Sequence, residues 1–208
     1  RNLLLSLIAF LLLLAWWSSL TIGLSSDEYF HHINGLVRLE FLKTLGEFKG
    51  YDYRNNKFYP GLYDTLSYAF GQIILFINKK FYVSNIDFTM HLVNIMFSSL
   101  SILGLFIFSK KLFNTNIAIF TSLLTLSNPF FFGHMGMNSK DLIIFFSLIW
   151  FCYYFYLYCI DDKKIIKNLI FASFFIGFGC GVRLTFLVVI FPAVILGIVY
   201  LFRKYESN

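Results

Sequence analysis

Asp27 and Glu28 stand directly after Leu3–Gly23, an apolar run broken only by Ser and Thr. A run of that length crosses the roughly 30 Å hydrocarbon core of a bilayer, which delivers the acidic pair to a membrane surface. A carboxylate beside lipid is costly unless it is paired or used. The chemistry open to it is general-base catalysis, in which a positioned carboxylate takes the proton of a hydroxyl as that oxygen attacks. In this reading Asp27 is the base and Glu28 caps or orients. A purely structural reading competes: Ser25 and Glu28 have capping-box spacing, and acids in a first helical turn favour the positive end of the dipole.

The other reactive residue types lie far away in sequence. Asn138-Ser139-Lys140-Asp141 opens a later apolar run, and Gly133-His134 precedes it. Asp141 suits a substrate contact or simply a helix N-terminus, with Ser139 as its cap. Arg183 follows Gly179-Cys180-Gly181, which reads as a flexible turn. It suits either phosphate binding by a fixed planar cation or snorkelling to the interface. Asp87, His91, Asn94, Ser98 and Ser101 recur at helical steps and share one face, which must turn away from lipid. Asn94, Ser98 and Ser101 read as interhelical hydrogen bonding, whereas His91, nearer the outer end, is a candidate ligand contact. Cys152, Cys159 and Cys180 lack metal-ligand spacing and read as small buried hydrophobes. No metal cage is legible, so no residue is assigned to a metal.

The elements that must position these groups follow from composition. The 208 residues are 58% hydrophobic and 13% charged, with mean hydropathy +0.71, more apolar surface than a soluble domain can hide. The predicted fold class is all-α integral membrane. Spans are predicted at Leu3–Gly23, Phe88–Phe108, Ile117–Phe132, Leu142–Ile160 and Leu184–Phe202. A sixth, Ile165–Val182, carries a Ser173, Gly177, Gly181 stripe suited to close packing against a neighbouring helix. Leu62–Ile77 is short and contains Asp64, so it reads as interfacial or half-inserted. Lys110, Lys111, Lys163, Lys164, Lys167, Arg203 and Lys204 then share one side, cytoplasmic by the positive-inside rule, against Lys79 and Lys80 on the other. In a membrane protein the net charge of +6 reports orientation and not a nucleic-acid partner. Residues 25–85 form a first outer loop with juxtamembrane helices. In it, Ser26–Leu45 places Phe30, Ile33, Val37 and Phe41 on an apolar stripe and Gly46 ends the helix; Gly50–Gly61 reads as loop. A chain that opens on Arg1 and stops at Glu206-Ser207-Asn208 reads as a fragment, residues 1–208 forming one membrane core. Asp27, Glu28, His134, Asn138, Lys140, Asp141 and Arg183 are thereby expected together at the non-cytoplasmic surface.

These positions resemble the GT-C superfamily of polyprenyl-phosphate-sugar-dependent glycosyltransferases. The resemblance is to glycosyltransferase family 39, which includes protein O-mannosyltransferases and lipid A aminoarabinose transferases. It rests on Asp27-Glu28-Tyr29 after the first span, Tyr59-Pro60-Gly61-Leu62-Tyr63, Lys110-Lys111-Leu112-Phe113, Asp141, and Gly181-Val182-Arg183-Leu184. Two features depart from the family pattern: only Pro60 remains of a fuller Pro-Pro motif, beside Lys57, and Met90-His91 stands where many members carry Arg. The resemblance implies transfer, with inversion, from a polyprenyl-phosphate-linked sugar donor to a lipid, glycan or protein acceptor hydroxyl. Asp27 and Glu28 are then catalytic; Asp141, Arg183, Lys140, His91, His134, Asn138, Lys57 and Tyr59 bind substrate. It admits a divalent metal, which some members use and others do not. It places the chain among membrane lipids, in a bacterial inner membrane with its site facing the periplasm or exterior. A transporter or flippase would instead place charge at mid-bilayer within an internal repeat; a non-catalytic assembly subunit is the third reading.

Overall fold

Long apolar sequence leaves backbone amides no water to bond, and a helix satisfies them internally. The computed structural model describes all residues except 24, 26, 49, 51–57, 78–85, 139, 162 and 207–208, and the side chains of 86, 87 and 205. Its helices are α1 (Asn2–Thr21), α2 (Glu28–Lys43), α3 (Leu62–Ile77), α4 (Ile86–Leu112), α5 (Thr115–Ser127), α6 (Pro129–His134), α7 (Asp141–Ile160), α8 (Ile165–Val182) and α9 (Phe186–Glu206). Five of them (α1, α4, α7, α8 and α9) are long and apolar enough to cross a membrane. The chain is an all-α, multi-pass membrane protein.

The expected span Ile117–Phe132 is two helices. Asn128 leaves the α5 helix with extended backbone, and its Oδ1 accepts from the amides of Phe130 and Phe131 at 2.9 and 3.2 Å, with Pro129 opening α6. Asn before Pro both ends one helix and caps the next. At 13 residues α5 reaches only about 20 Å. Together α5 and α6 still carry the chain from the C-terminal end of α4 back to its N-terminal half. There Ser98 Oγ donates to Met135 O at 3.0 Å and Asn94 Nδ2 to Gly136 O at 2.8 Å.

That return lets α7 run parallel to α4. The rings of Phe97 and Phe146 lie 5.0 Å apart, Trp150 Nε1 donates to Leu100 O at 3.2 Å, and Phe108 lies beside Tyr156. The next helix, α8, comes back antiparallel through stacked Trp150, Tyr154, Phe171 and Phe175 rings. Then α9 reverses again, and Lys204 Nζ reaches Cys159 O. The seven cations of the orientation argument therefore collect at one end of the bundle, and Asp27, Asp141 and Arg183 at the other. Between the ends, Ala15, Ile95, Ile102 and Leu126 form one core cluster, and Phe146, Phe151, Phe175 and Phe186 a second.

Two local expectations in α8 are corrected. Gly179-Cys180-Gly181 is the last helical turn and not a flexible turn, because nothing breaks the backbone hydrogen bonding before Arg183, whose amide still bonds Gly179 O at 2.9 Å. The Ser173–Gly177 part of the small-residue stripe is exposed, and among the described residues nothing lies within reach of a Cβ at Gly177, whereas Gly181 meets Leu62.

The largest correction concerns α2. Of the expected apolar stripe only Val37 is buried; Phe30, Ile33 and Phe41 are half-covered. The buried face holds Glu28, His31, Asn34 and Gly35. Partners decide this, because α3 presents Asp64 and α4 presents His91 to that face, and buried polar groups are tolerated when they meet partners. Gly35 permits the approach: a Cβ there would strike the Asp64 carbonyl oxygen and Tyr68.

Candidate active site

Four segments meet at the end of the bundle opposite the clustered lysines. The turn into α2 supplies Ser25, Asp27, Glu28 and His31; the loop from α6 to α7 supplies His134, Met137, Asn138 and Lys140; α7 supplies Asp141 and the end of α8 supplies Arg183. They line one cavity of about 340 Å³. Asp27 and Asp141, 114 residues apart in sequence by their numbers, share it.

The adjacent acids of α2 differ in kind. Glu28 is buried. Its Oε2 accepts from the Ser25 amide at 2.6 Å, which is half of the capping box read from sequence, and its Oε1 lies 2.8 Å from His91 Nε2 with both side chains 1% exposed. The ring N–H axis points off that oxygen, so the contact is an electrostatic pair more than an aligned hydrogen bond. His91, fully buried behind Glu28, is not among the described residues that line the cavity. Asp27, one residue earlier, is exposed, and its carboxylate has no side-chain partner among the described residues.

Across the cavity, Arg183 Nη1 bonds Asp141 Oδ1 at 3.0 Å, with both side chains more than a third exposed. Arg183 Nε is buried without a hydrogen bond among the described residues, so the guanidinium keeps donor capacity for an incoming oxyanion. Asn138 organises this side. Its Oδ1 accepts from the amides of Lys140 and Asp141 at 3.0 and 2.8 Å, capping α7, and its Nδ2 donates to Asp141 Oδ2 at 3.1 Å and to His134 Nδ1 at 3.2 Å. An accepting Nδ1 puts the His134 proton on Nε2. Lys140 Nζ lies 4.6 Å from the centroid of the Tyr59 ring, a cation–π contact at the lip. Lys57, Ser26 and Ser139 lie outside the described residues, as does the side chain of Asp87.

Sequence reasoning missed the groups beneath the cavity. Asp64, read only as a mark against a span, is buried on α3, with Oδ1 2.9 Å from His31 Nδ1 and Oδ2 accepting from Asn34 Nδ2. Asn34 Oδ1 accepts from Arg38 Nε at 3.2 Å, and the Arg38 guanidinium donates onward to Tyr59 O. Tyr63, wholly buried with its ring edge-on to His31, has its phenol pKa pushed up by burial. The signal was available: Glu28, His31 and Asn34 recur every three residues. Among the described residues no three His, Cys, Asp or Glu side chains come together to hold a metal.

A second, wider groove of about 670 Å³ shares His134, Asn138 and Asp141 with the polar cavity. Its remaining lining is mostly apolar: Leu124, Phe130, Phe131, Leu142 and Phe145, with Thr125 and Asn128.

Residues 73–207 match the model of the dolichyl-phosphate-mannose-protein mannosyltransferase family, and the chain belongs to that family. It is thus a membrane glycosyltransferase of the GT-C type, and its family implies a lipid-linked sugar donor and a protein or glycan acceptor in a membrane. The matched stretch holds His91, His134, Asn138, Lys140, Asp141 and Arg183; the α2 acids precede it. No curated protein and no solved structure matches the chain significantly.

Proposed function

We propose that this protein transfers a sugar, with inversion, from a polyprenyl-phosphate-linked donor to an acceptor hydroxyl on the non-cytoplasmic face. The observation that carries the reading is the shared wall between a charged cavity and an apolar groove. A lipid-phosphate sugar needs both: a groove for its chain and, beside it, cations for its phosphate. The seven cations at the opposite end favour this orientation.

Asp27 takes the proton of the acceptor hydroxyl. The hydroxyl oxygen bonds to the anomeric carbon as the bond from that carbon to the phosphate oxygen breaks, and the lipid phosphate leaves with the electron pair. Arg183 and Lys140 stabilise the charge that collects on it. Asp141 holds Arg183 in place, and Glu28, already engaged with His91 and Ser25, fixes the turn that presents Asp27. Most of the catalysis is positioning.

The test is Asp27→Asn in the complete protein, reconstituted in nanodiscs and supplied with polyprenyl-phosphate sugars. Loss of a positioned base lowers turnover by roughly 100-fold or more, with normal folding. Wild-type turnover in the variant removes Asp27 from the mechanism; no transfer by the wild type from any lipid-linked donor removes the reading itself.

A further inference from the structure

Beneath the cavity, the buried carboxylate of Asp64 and the imidazole of His31 form a pair that the transfer chemistry above does not use. His31 lines the cavity while only 5% of its side chain is exposed, and Asp64 is equally buried at 4%. The approach is one-sided. His31 Nδ1 is 2.9 Å from Asp64 Oδ1, and two lone pairs at that separation would repel. The imidazole therefore keeps a proton on Nδ1 toward Asp64, held by electrostatics because its N–H axis, like that of His91, lies off the oxygen. In the neutral imidazole Nε2 is then the acceptor, and it is the ring nitrogen that is not sealed from the cavity His31 lines. The orienting carboxylate is itself fixed, because its second oxygen accepts from Asn34 Nδ2. Gly35 lets α3 come close enough for all of this. His31 also sits one helical turn beyond Asp27, its amide bonded to Asp27 O at 3.1 Å, so both side chains serve the same stretch of the cavity.

We infer that His31 binds a hydroxyl of the donor sugar, accepting its hydrogen bond at Nε2, and that Asp64 is the positioning residue that fixes the ring and its tautomer. The inference rests on the glycosyltransferase reading and deepens it. If Asp27 meets the acceptor and Arg183 with Lys140 meets the phosphate, the sugar lies between them, and a hydroxylated ring there needs acceptors that are not already engaged. Carboxylate-backed imidazole supplies one in a defined state. A site that accepts from a substrate hydroxyl discriminates strongly against analogues lacking it, because a buried acceptor is then left without its donor.

The experiment uses the complete protein in nanodiscs with ¹⁵N-labelled histidine and a panel of polyprenyl-phosphate hexoses and pentoses. At neutral pH the His31 resonances, assigned by their loss in His31→Asn, are expected to report protonated Nδ1 and bare Nε2. The Nε2 resonance moves when the accepted donor is added. His31→Asn keeps an amide N–H at the Nδ1 position toward Asp64 and has nothing at Nε2. It is expected to melt within a few degrees of wild type and to lose at least tenfold in kcat/KM for the donor, with KM for the acceptor unchanged. Asp64→Asn, which offers an amide to the ring, is expected to move the proton to Nε2 and lose activity similarly. A protonated Nε2 in the wild type, a resonance indifferent to donor, or full kcat/KM in His31→Asn overturns the inference while the transfer reading stands. If His31→Asn does not fold, His31→Gln supplies the assignment, and the wild-type tautomer and its response to donor decide. A wild type that transfers none of the sugars overturns the reading beneath it, a separate failure.

Discussion

The two walls of the cavity hold their charges in opposite ways. On the α2 side Glu28 and His91 are each 1% exposed, and Asp64 and His31 nearly as buried. On the α7–α8 side Asp141 and Arg183 are 59% and 39% exposed. A buried pair is rigid because separating its members leaves a charge without partner or water. An exposed pair contributes little to stability and exchanges its partner easily. The difference assigns labour. The α2 wall fixes geometry, and the α7–α8 wall can release a cation to a ligand without unfolding anything.

The contrast can be broken most directly at His91. His91→Ala strands Glu28 in the interior and is expected to cost about 3–5 kcal/mol of stability, read from unfolding of the whole protein in mixed micelles. A cost near zero would mean that the α2 wall is no more fixed than its counterpart. Asn94→Ala, which removes the donor that Gly136 O accepts from inside the bundle, is expected to cost about 1–3 kcal/mol and to loosen the α6–α7 loop, measured by amide exchange at Met135 to Asn138. Arg183→Gln is the smallest in stability, under about 1 kcal/mol, yet is expected to raise KM for the lipid donor several-fold. A large fall in melting temperature for Arg183→Gln would erase the asymmetry from the other direction.

The convergence of Asp27, Asp141 and Arg183 was legible because it needs only span lengths and the placement of lysines, both readable along one dimension. The break at Asn128-Pro129 was equally legible as a local signal, but a continuous apolar count overrode it. The face of α2 was not. Hydrophobic periodicity assumes that apolar residues turn inward, and here Glu28, His31 and Asn34 do so because partners from α3 and α4 arrive from 30 or more residues away. Asp64 was discounted for the same reason: an acid in a short apolar helix looks like a defect until its histidine is found. Of the two adjacent acids, Glu28 was marked locally by its capping-box spacing from Ser25, but its burial depends on His91, which no local signal announces.

The common wall of groove and cavity bears on how this enzyme meets its donor. A long-chained amphiphile can slide sideways out of the leaflet, keeping its tail in oil while its head crosses Phe131 and His134 into the charged chamber. The search is then two-dimensional, and turnover should follow the mole fraction of donor among the surrounding lipids, not its bulk concentration. Diluting the bilayer with inert lipid at constant donor and protein should slow the reaction in proportion.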